Sequence, residues 1–300
     1  MQNSFRLKSN DMFSRHEEEN QEAPLRIVFL SVEGNNTERQ YFELIEKYRS
    51  KLKIKKGVHI CPLKRAKDDN NSAPEQVLEL LEEYVELRDL QKLPQRLADA
   101  IDDQRYSYDF VKQYLNNELK KDKNVEEFEF LLEEAGIDLN YNLFLQNYKG
   151  NDDIFGIVID RDYKNHSVEQ MKRIVDECKN KNYRCFISTP LFEFWLLLHL
   201  VDVKNEYSKN MREIMLNEKV SEKHTYTSKL VSDKAHHAKQ INDTVFRKYY
   251  LDHVDDAINQ ANKNFATNLD DLIGNDTSDD LRYGKIGTNM PELFELLREV

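Results

Sequence analysis

Glycine is scarce in this chain, with only eight among 300 residues, and neither GxGxxG nor GxxxxGK followed by Ser or Thr occurs. Without a glycine-rich loop to cradle phosphates through backbone amides, a nucleotide-hydrolysing motor within the chain is excluded. A GxSxG elbow is also missing, which removes the α/β-hydrolase nucleophile. Cysteine is equally sparse. Cys61, Cys178 and Cys185 make neither a CxxC pair nor a Cys/His ligand spacing, the usage of reduced thiols in a cytoplasmic protein. Long apolar runs are lacking too. A membrane span needs about 18 residues, whereas the longest candidate, Pro190 to Val203, is shorter and carries Glu193, His199 and Asp202. Met1 to Ala23 is polar and acidic without an apolar stretch, so it does not read as a signal peptide. The expectation is a cytoplasmic protein with no membrane association.

What is abundant is charge. Charged residues make up 33% of the chain and hydrophobic ones 39%, a balance that describes a folded, well-solvated protein rather than a disordered one. The net charge of −11 argues against coating nucleic acid over a broad surface but leaves room for a local groove. Lys204 to Tyr250 reverses the local sign, with ten Lys and Arg against six Asp and Glu, interleaved with Tyr207, Tyr226, Phe246, Tyr249 and Tyr250. Two readings stay open. Basic and aromatic residues together can hold a backbone and stack bases, or the stretch is an ordinary helical subdomain with solvated charges. His236, His237 and Lys239 lie inside it, within reach of a phosphate or leaving group on the first reading.

The pattern along the chain is α/β. Leu25 to Val32 reads as a buried parallel strand, and Gly34 permits a sharp turn after it. Thr37 to Gln40 reads as a capping box, opening a helix with Tyr41, Leu44, Ile45 and Tyr48 at helical spacing. Val58 to Leu63 is a second strand, and Pro74 starts a helix striped by Val77, Leu80, Leu81 and Tyr84. The rhythm breaks from Gln91 to Asn151, where only helical patterns occur. It resumes with strand Ile154 to Asp160, helix Val168 to Lys181, strand Tyr183 to Ser188 and helix Pro190 to Leu200. Such alternation means βαβ units and a mostly parallel sheet flanked by helices. The expected organisation is a flexible arm over 1–24, a sheet domain in two parts over 25–90 and 152–203, a helical insertion over 91–151 and a helical C-terminal region over 204–300.

Acids cluster where the apolar runs end. Glu33 closes the first strand, and Asp160 and Asp162 close Ile154-Phe-Gly-Ile-Val-Ile-Asp-Arg-Asp162. In open α/β sheets the carboxyl edge of the strands is where ligands bind. Two acids two positions apart face the same side of an extended chain, so both can reach one ion. Carboxylates gathered there repel one another and call for a hard divalent cation, Mg²⁺ or Mn²⁺, which points to phosphate chemistry. Glu33 is placed to ligate that ion or to act as a general base. Glu38, in the first turn of the next helix, is favoured there by the helix dipole alone and is a secondary candidate. Glu193 sits in Pro190-Leu-Phe-Glu-Phe-Trp-Leu-Leu-Leu-His-Leu200, a helix apolar nearly all round and therefore buried. A buried carboxylate needs a partner, for which Arg161, a backbone amide at the helix start or the metal are the candidates.

Three motifs resemble the RloB family. Val32-Glu-Gly-Asn-Asn-Thr-Glu38 with Tyr41 and Phe42, then Ile159-Asp-Arg-Asp162, then Ser188-Thr-Pro-Leu-Phe-Glu-Phe-Trp-Leu-Leu-Leu-His199 follow that family's EGxxTExxYF, DRD and NPxFExWLLxH in order. The resemblance spans roughly Arg26 to Val203, with Thr189-Pro-Leu in place of the commoner Asn-Pro-Cys. It implies a Toprim-like sheet, in which Glu33, Asp160 and Asp162 bind Mg²⁺ and act in catalysis, with Glu193 added from the family's own helix motif. It further implies a nuclease effector of a bacterial anti-phage, abortive-infection system, controlled by an SMC- or ABC-like ATPase and acting on DNA, tRNA or another RNA. Homo-oligomerisation stays open. Two other functions compete: a phosphoryl-transfer enzyme with an aspartyl nucleophile, and a non-catalytic partner of an ATPase.

Overall fold

In a computed structural model of the chain, residues 26–34, 36–63, 73–89, 106–115, 118–135, 152–236, 240–275 and 283–298 are described. The expected 1–24 arm, most of the 91–151 insertion, His237 and Lys239 lie outside them. The described residues fall into two compact units, the smaller one within 82–152 and the larger one made of 26–63, 73–81 and 153–298. In the smaller unit, α3 (Tyr108–Leu115) and α4 (Lys123–Ala135) surround Phe128, whose ring meets those of Tyr106, Phe110 and Tyr114 at 5.1–5.2 Å.

The larger unit holds a five-stranded sheet. Its elements are β1 (Arg26–Val32), α1 (Thr37–Lys47), β2 (Val58–Pro62), the start of α2 (Pro74–Asp89), β3 (Ile154–Asp160), α5 (Val168–Asn180) and β4 (Arg184–Thr189). Then follow α6 (Phe192–Leu200), α7 (Val203–Glu206), α8 (Met211–Leu216), α9 (Tyr226–Ala235), α10 (Asp243–Tyr249), α11 (Val254–Asn264), α12 (Leu269–Ile273), β5 (Gly287–Thr288) and α13 (Met290–Arg298). Strand order is β2-β1-β3-β4-β5, parallel except for the short antiparallel β5. Six of the seven residues of β1 are buried, as a strand covered on both faces requires. The result is an α/β fold with a mostly parallel, Toprim-like sheet.

Two expectations change. Asn36 occupies the cap of α1 without a side-chain bond, so Gln40 falls one position too late for a reciprocal capping box. Its Oε1 accepts instead from the amide of Ile241, 2.8 Å away, tying α1 to the C-terminal region. The strand β5 was not anticipated, because two residues carry no alternation to read. Its pairing is extended by Asn289, whose Oδ1 accepts from Ile187 N and whose Nδ2 donates to the Cys185 carbonyl.

Helix α6 is the axis of the core. Phe192, Phe194, Trp195, Leu196, Leu197 and Leu198 are almost wholly buried, packed against β4, α9 and α11. A buried helix end would strand its carbonyls. Gln260 of α11 prevents this, donating to the Leu198 and Val201 carbonyls and accepting from Val203 N. His199 is held inside the same core. Its Nδ1 donates to the Trp195 carbonyl at 2.9 Å, leaving Nε2 to accept from the Tyr41 hydroxyl at 3.1 Å. Burial pushes its pKa down to about 3, so it is a neutral structural imidazole.

Candidate active site

The chain builds β1 and β2 on one side and then β3 and β4 on the other, so the strand order reverses between β1 and β3. In a sheet of this order the crevice at the carboxyl ends of those two strands is the binding position. Glu33 and Asp160 leave their strands there side by side. The pairing of Val32 with Val158 carries on as Glu33 N donating to the Val158 carbonyl at 3.1 Å. Glu33 Oε2 then accepts from Asp160 N at 2.9 Å.

Asp160 is the centre of this edge. Its Oδ1 accepts from Phe192 N, the first amide of α6, at 2.7 Å. A helix N-terminus favours negative charge, yet the carboxyl is held well above the usual range. Burial is the largest cause, followed by the charges of Glu33, Glu38 and Glu193. Glu38 is buried at the start of α1, and its carboxylate lies over Gly34, where a Cβ would come within 1.8 Å of Oε2. Gly34 thus serves a close approach, and its φ is not in the left-handed region. Glu193, in the first turn of α6, is half-buried rather than fully enclosed, because the helix start opens onto the sheet edge.

Asp162 departs from the same-face expectation. β3 ends at Asp160, and Asp162 adopts φ 22°, which turns the chain out of the extended geometry that would align the two side chains. Its amide donates to the Pro190 carbonyl, and its carboxylate accepts from Asn165 Nδ2 at 2.7 Å. Its charge acts on His166 and Tyr163. Arg161 between them is 1% exposed. Its Nε donates to the Ile273 carbonyl and its Nη1 to the His166 carbonyl, at 2.7 and 2.6 Å, locking the β3–α5 turn onto α12.

The structure therefore gathers Glu33, Glu38, Asp160 and Glu193 and leaves Asp162 on a turn beside them. The nearness of Glu38 was the least legible part of this. Its place four residues after a close-approach glycine was the structural hint.

By charge and chemistry the cluster fits a hard divalent cation. Among the described residues no group of three or more His, Cys, Asp or Glu side chains is arranged to hold a metal ion. Mg²⁺ tolerates that, since it keeps several waters and takes one or two carboxylates plus substrate phosphates.

The stretch from Lys204 to Tyr250 resolves into core and surface. Phe246 and Tyr250 are wholly buried, and Tyr207, Tyr226 and Tyr249 pack against the same core. Three of its bases make surface pairs, Lys229 with Asp233, Lys234 with Glu206 and Arg247 with Asp243.

Fold and edge together define an α/β protein with a Toprim-like sheet and an acidic centre at its switch point. The chain belongs to the RloB-like protein family, which it matches over residues 28–297. The match runs well past Val203, so the C-terminal region is part of the family's fold. No curated protein and no solved structure matches the chain. Among the described residues no helix is long and apolar enough to cross a membrane.

Proposed function

We propose that this protein is a Mg²⁺-dependent phosphodiesterase acting on nucleic acid, an effector of anti-phage defence controlled by an SMC- or ABC-like ATPase. The observation that supports it most is the crowding of Glu33, Glu38 and Glu193 around the buried Asp160 at the switch point. Like charges in a low-dielectric edge are unfavourable unless a cation joins them. Glu33 and Asp160 would hold the ion, with Glu38 and Glu193 beside them. When bound, it supplies Lewis-acid polarisation of a scissile phosphate.

The chain's own residues do the rest. The Phe192 and Asp160 amides fix the carboxylates of Asp160 and Glu33 in place. Glu193, half-buried at the helix start, is the acid we assign to take a proton from an attacking water or hydroxyl. Membership of the RloB-like family supports the defence role and the ATPase partner.

The test is incubation of the purified chain, alone and with an SMC- or ABC-like ATPase from the same genome, against plasmid DNA and total tRNA in Mg²⁺ or Mn²⁺. Cleavage that disappears in Asp160→Asn and Glu33→Gln is expected. Undiminished cleavage in Asp160→Asn overturns the mechanism. Absence of Mg²⁺ and Mn²⁺ binding by calorimetry favours a non-catalytic subunit.

A further inference from the structure

Beside the acidic centre lies a cleft of about 240 Å³. One wall is the turn after β3, with Asp162, Tyr163 and Lys164, together with Leu191. The facing wall is the end of α8 and the segment after it, with Leu216 and Lys219. The cleft and the acids share a partition. Asp162 N donates to the Pro190 carbonyl at 3.1 Å, and Phe192, next to Leu191, donates its amide to Asp160. The cleft therefore adjoins the Asp160 edge across the segment from Pro190 to Phe192.

The lining has three chemistries. Leu191 and Leu216 give each wall an apolar residue. Tyr163 offers a ring that is held by an edge-to-face contact with Tyr283, centroids 4.5 Å apart. Lys164 and Lys219 bring two ammonium groups and Asp162 and Glu218 two carboxylates, and Lys219 is the cation of the lining without an ion pair among the described residues. Lys164 pairs with Glu218 at 2.9 Å, linking the two walls at an exposed rim. A flat aromatic or apolar wall with one cation, Lys219, at the rim suits a base with its phosphate, because every base has a face to stack and a phosphate has a charge to neutralise. The volume lies below the range of about 300–1,000 Å³ typical of drug-sized ligands, so it suits one residue of a strand and excludes a duplex.

Resting on the nucleic-acid reading above, we infer that this cleft seats one unstacked nucleotide of the strand to be cut, so that the substrate is a single strand or an unpaired loop. A base still in a duplex cannot enter without leaving its stack. The C-terminal region, through α8 and Lys219, thus contributes to substrate choice.

The experiment is fluorescence anisotropy in EDTA, where no cleavage occurs. The full chain is titrated against labelled single-stranded RNA and DNA of about 12 nucleotides, a length within the usual range of single-strand sites, and against their duplexes. Single strands of at least one sugar are expected to bind more tightly than duplexes, and the preferred sugar identifies the substrate. Tyr163→Ala and Leu216→Trp, the second filling the cleft, are each expected to lower affinity about tenfold. Lys219→Ala, at an exposed position that folding does not need, is expected to reduce the salt slope of binding by about one. Wild-type binding in all three variants overturns the inference, as does tighter binding of duplex or no binding of either strand. Cleft-dependent binding by a chain that cuts nothing in Mg²⁺ or Mn²⁺ upholds the cleft and overturns the hydrolytic reading alone.

Discussion

The carboxyl edge of the sheet and the stretch from Lys204 to Tyr250 both concentrate charge, but they place it in different surroundings. At the edge, Asp160 and Glu38 are each 8% exposed and face further carboxylates. In the C-terminal stretch Lys229, Lys234 and Arg247 make exposed pairs, while Phe246 and Tyr250 between them fill the core. Exposed pairs contribute at most about 1 kcal/mol, and solvent screens them. Like charges held away from water are expensive to keep unless they have a use. Burial, more than density, separates the site from the solvated surface.

Substitutions can test that contrast. The largest divergence is expected between Asp160→Asn and Phe246→Ala. The first removes a buried like charge while its amide oxygen can still accept from Phe192, so cleavage falls by about a hundredfold or more with melting temperature in EDTA at or above that of the unaltered chain. The second empties a wholly buried aromatic position and costs about 3–5 kcal/mol in denaturant unfolding, without touching the edge. A destabilised Asp160→Asn chain would show that the acids serve folding.

His199 sharpens the comparison from the buried side. Its pKa is about 3 in the fold and 6.5 as the ordinary value, so the unfolded chain takes up a proton that the native chain refuses between those limits. Stability therefore falls as pH drops from about 6.5 toward 3, by up to about 1.4 kcal/mol per pH unit from this group, and is unaffected by it above that window. His199→Gln is expected to flatten that part of the pH profile, read from denaturant midpoints.

Gly34→Ala is expected to act on the site with little effect on the fold. The new Cβ meets only the far end of the Glu38 side chain, so the carboxylate moves aside and cleavage drops while the melting temperature holds. Smallest of all, Lys229→Ala and Lys234→Ala each remove an exposed ion pair and are expected to shift stability by no more than about 0.5 kcal/mol and leave cleavage unchanged. A strong effect of either on cleavage would give the basic stretch a role in substrate binding.

Much of the fold was legible because its signals are local. Ile154 to Asp160 reads as a strand from its own apolar run, and Ser167 caps α5 through its own hydroxyl. The candidate acids Glu33 and Asp160 were legible for the same reason, each closing such a run. The same-face alignment expected of Asp162 with Asp160 does not hold, because a single φ of 22° undoes the two-residue periodicity of a strand. Arg161, Gln40 and Gln260 bind partners 112, 201 and 57–62 residues away, separations at which no spacing rule operates.

The residue order alone determined that this chain forms alternating strands and helices, with acids at the strand exits and a helix too apolar to lie anywhere but inside. Only tertiary structure decided which acids meet, that the C-terminal aromatics are core, and that α8 faces the turn after β3 across a cleft. Hydrophobic periodicity acts between neighbours in the chain, whereas electrostatic crowding and cavities arise between segments that only folding brings together.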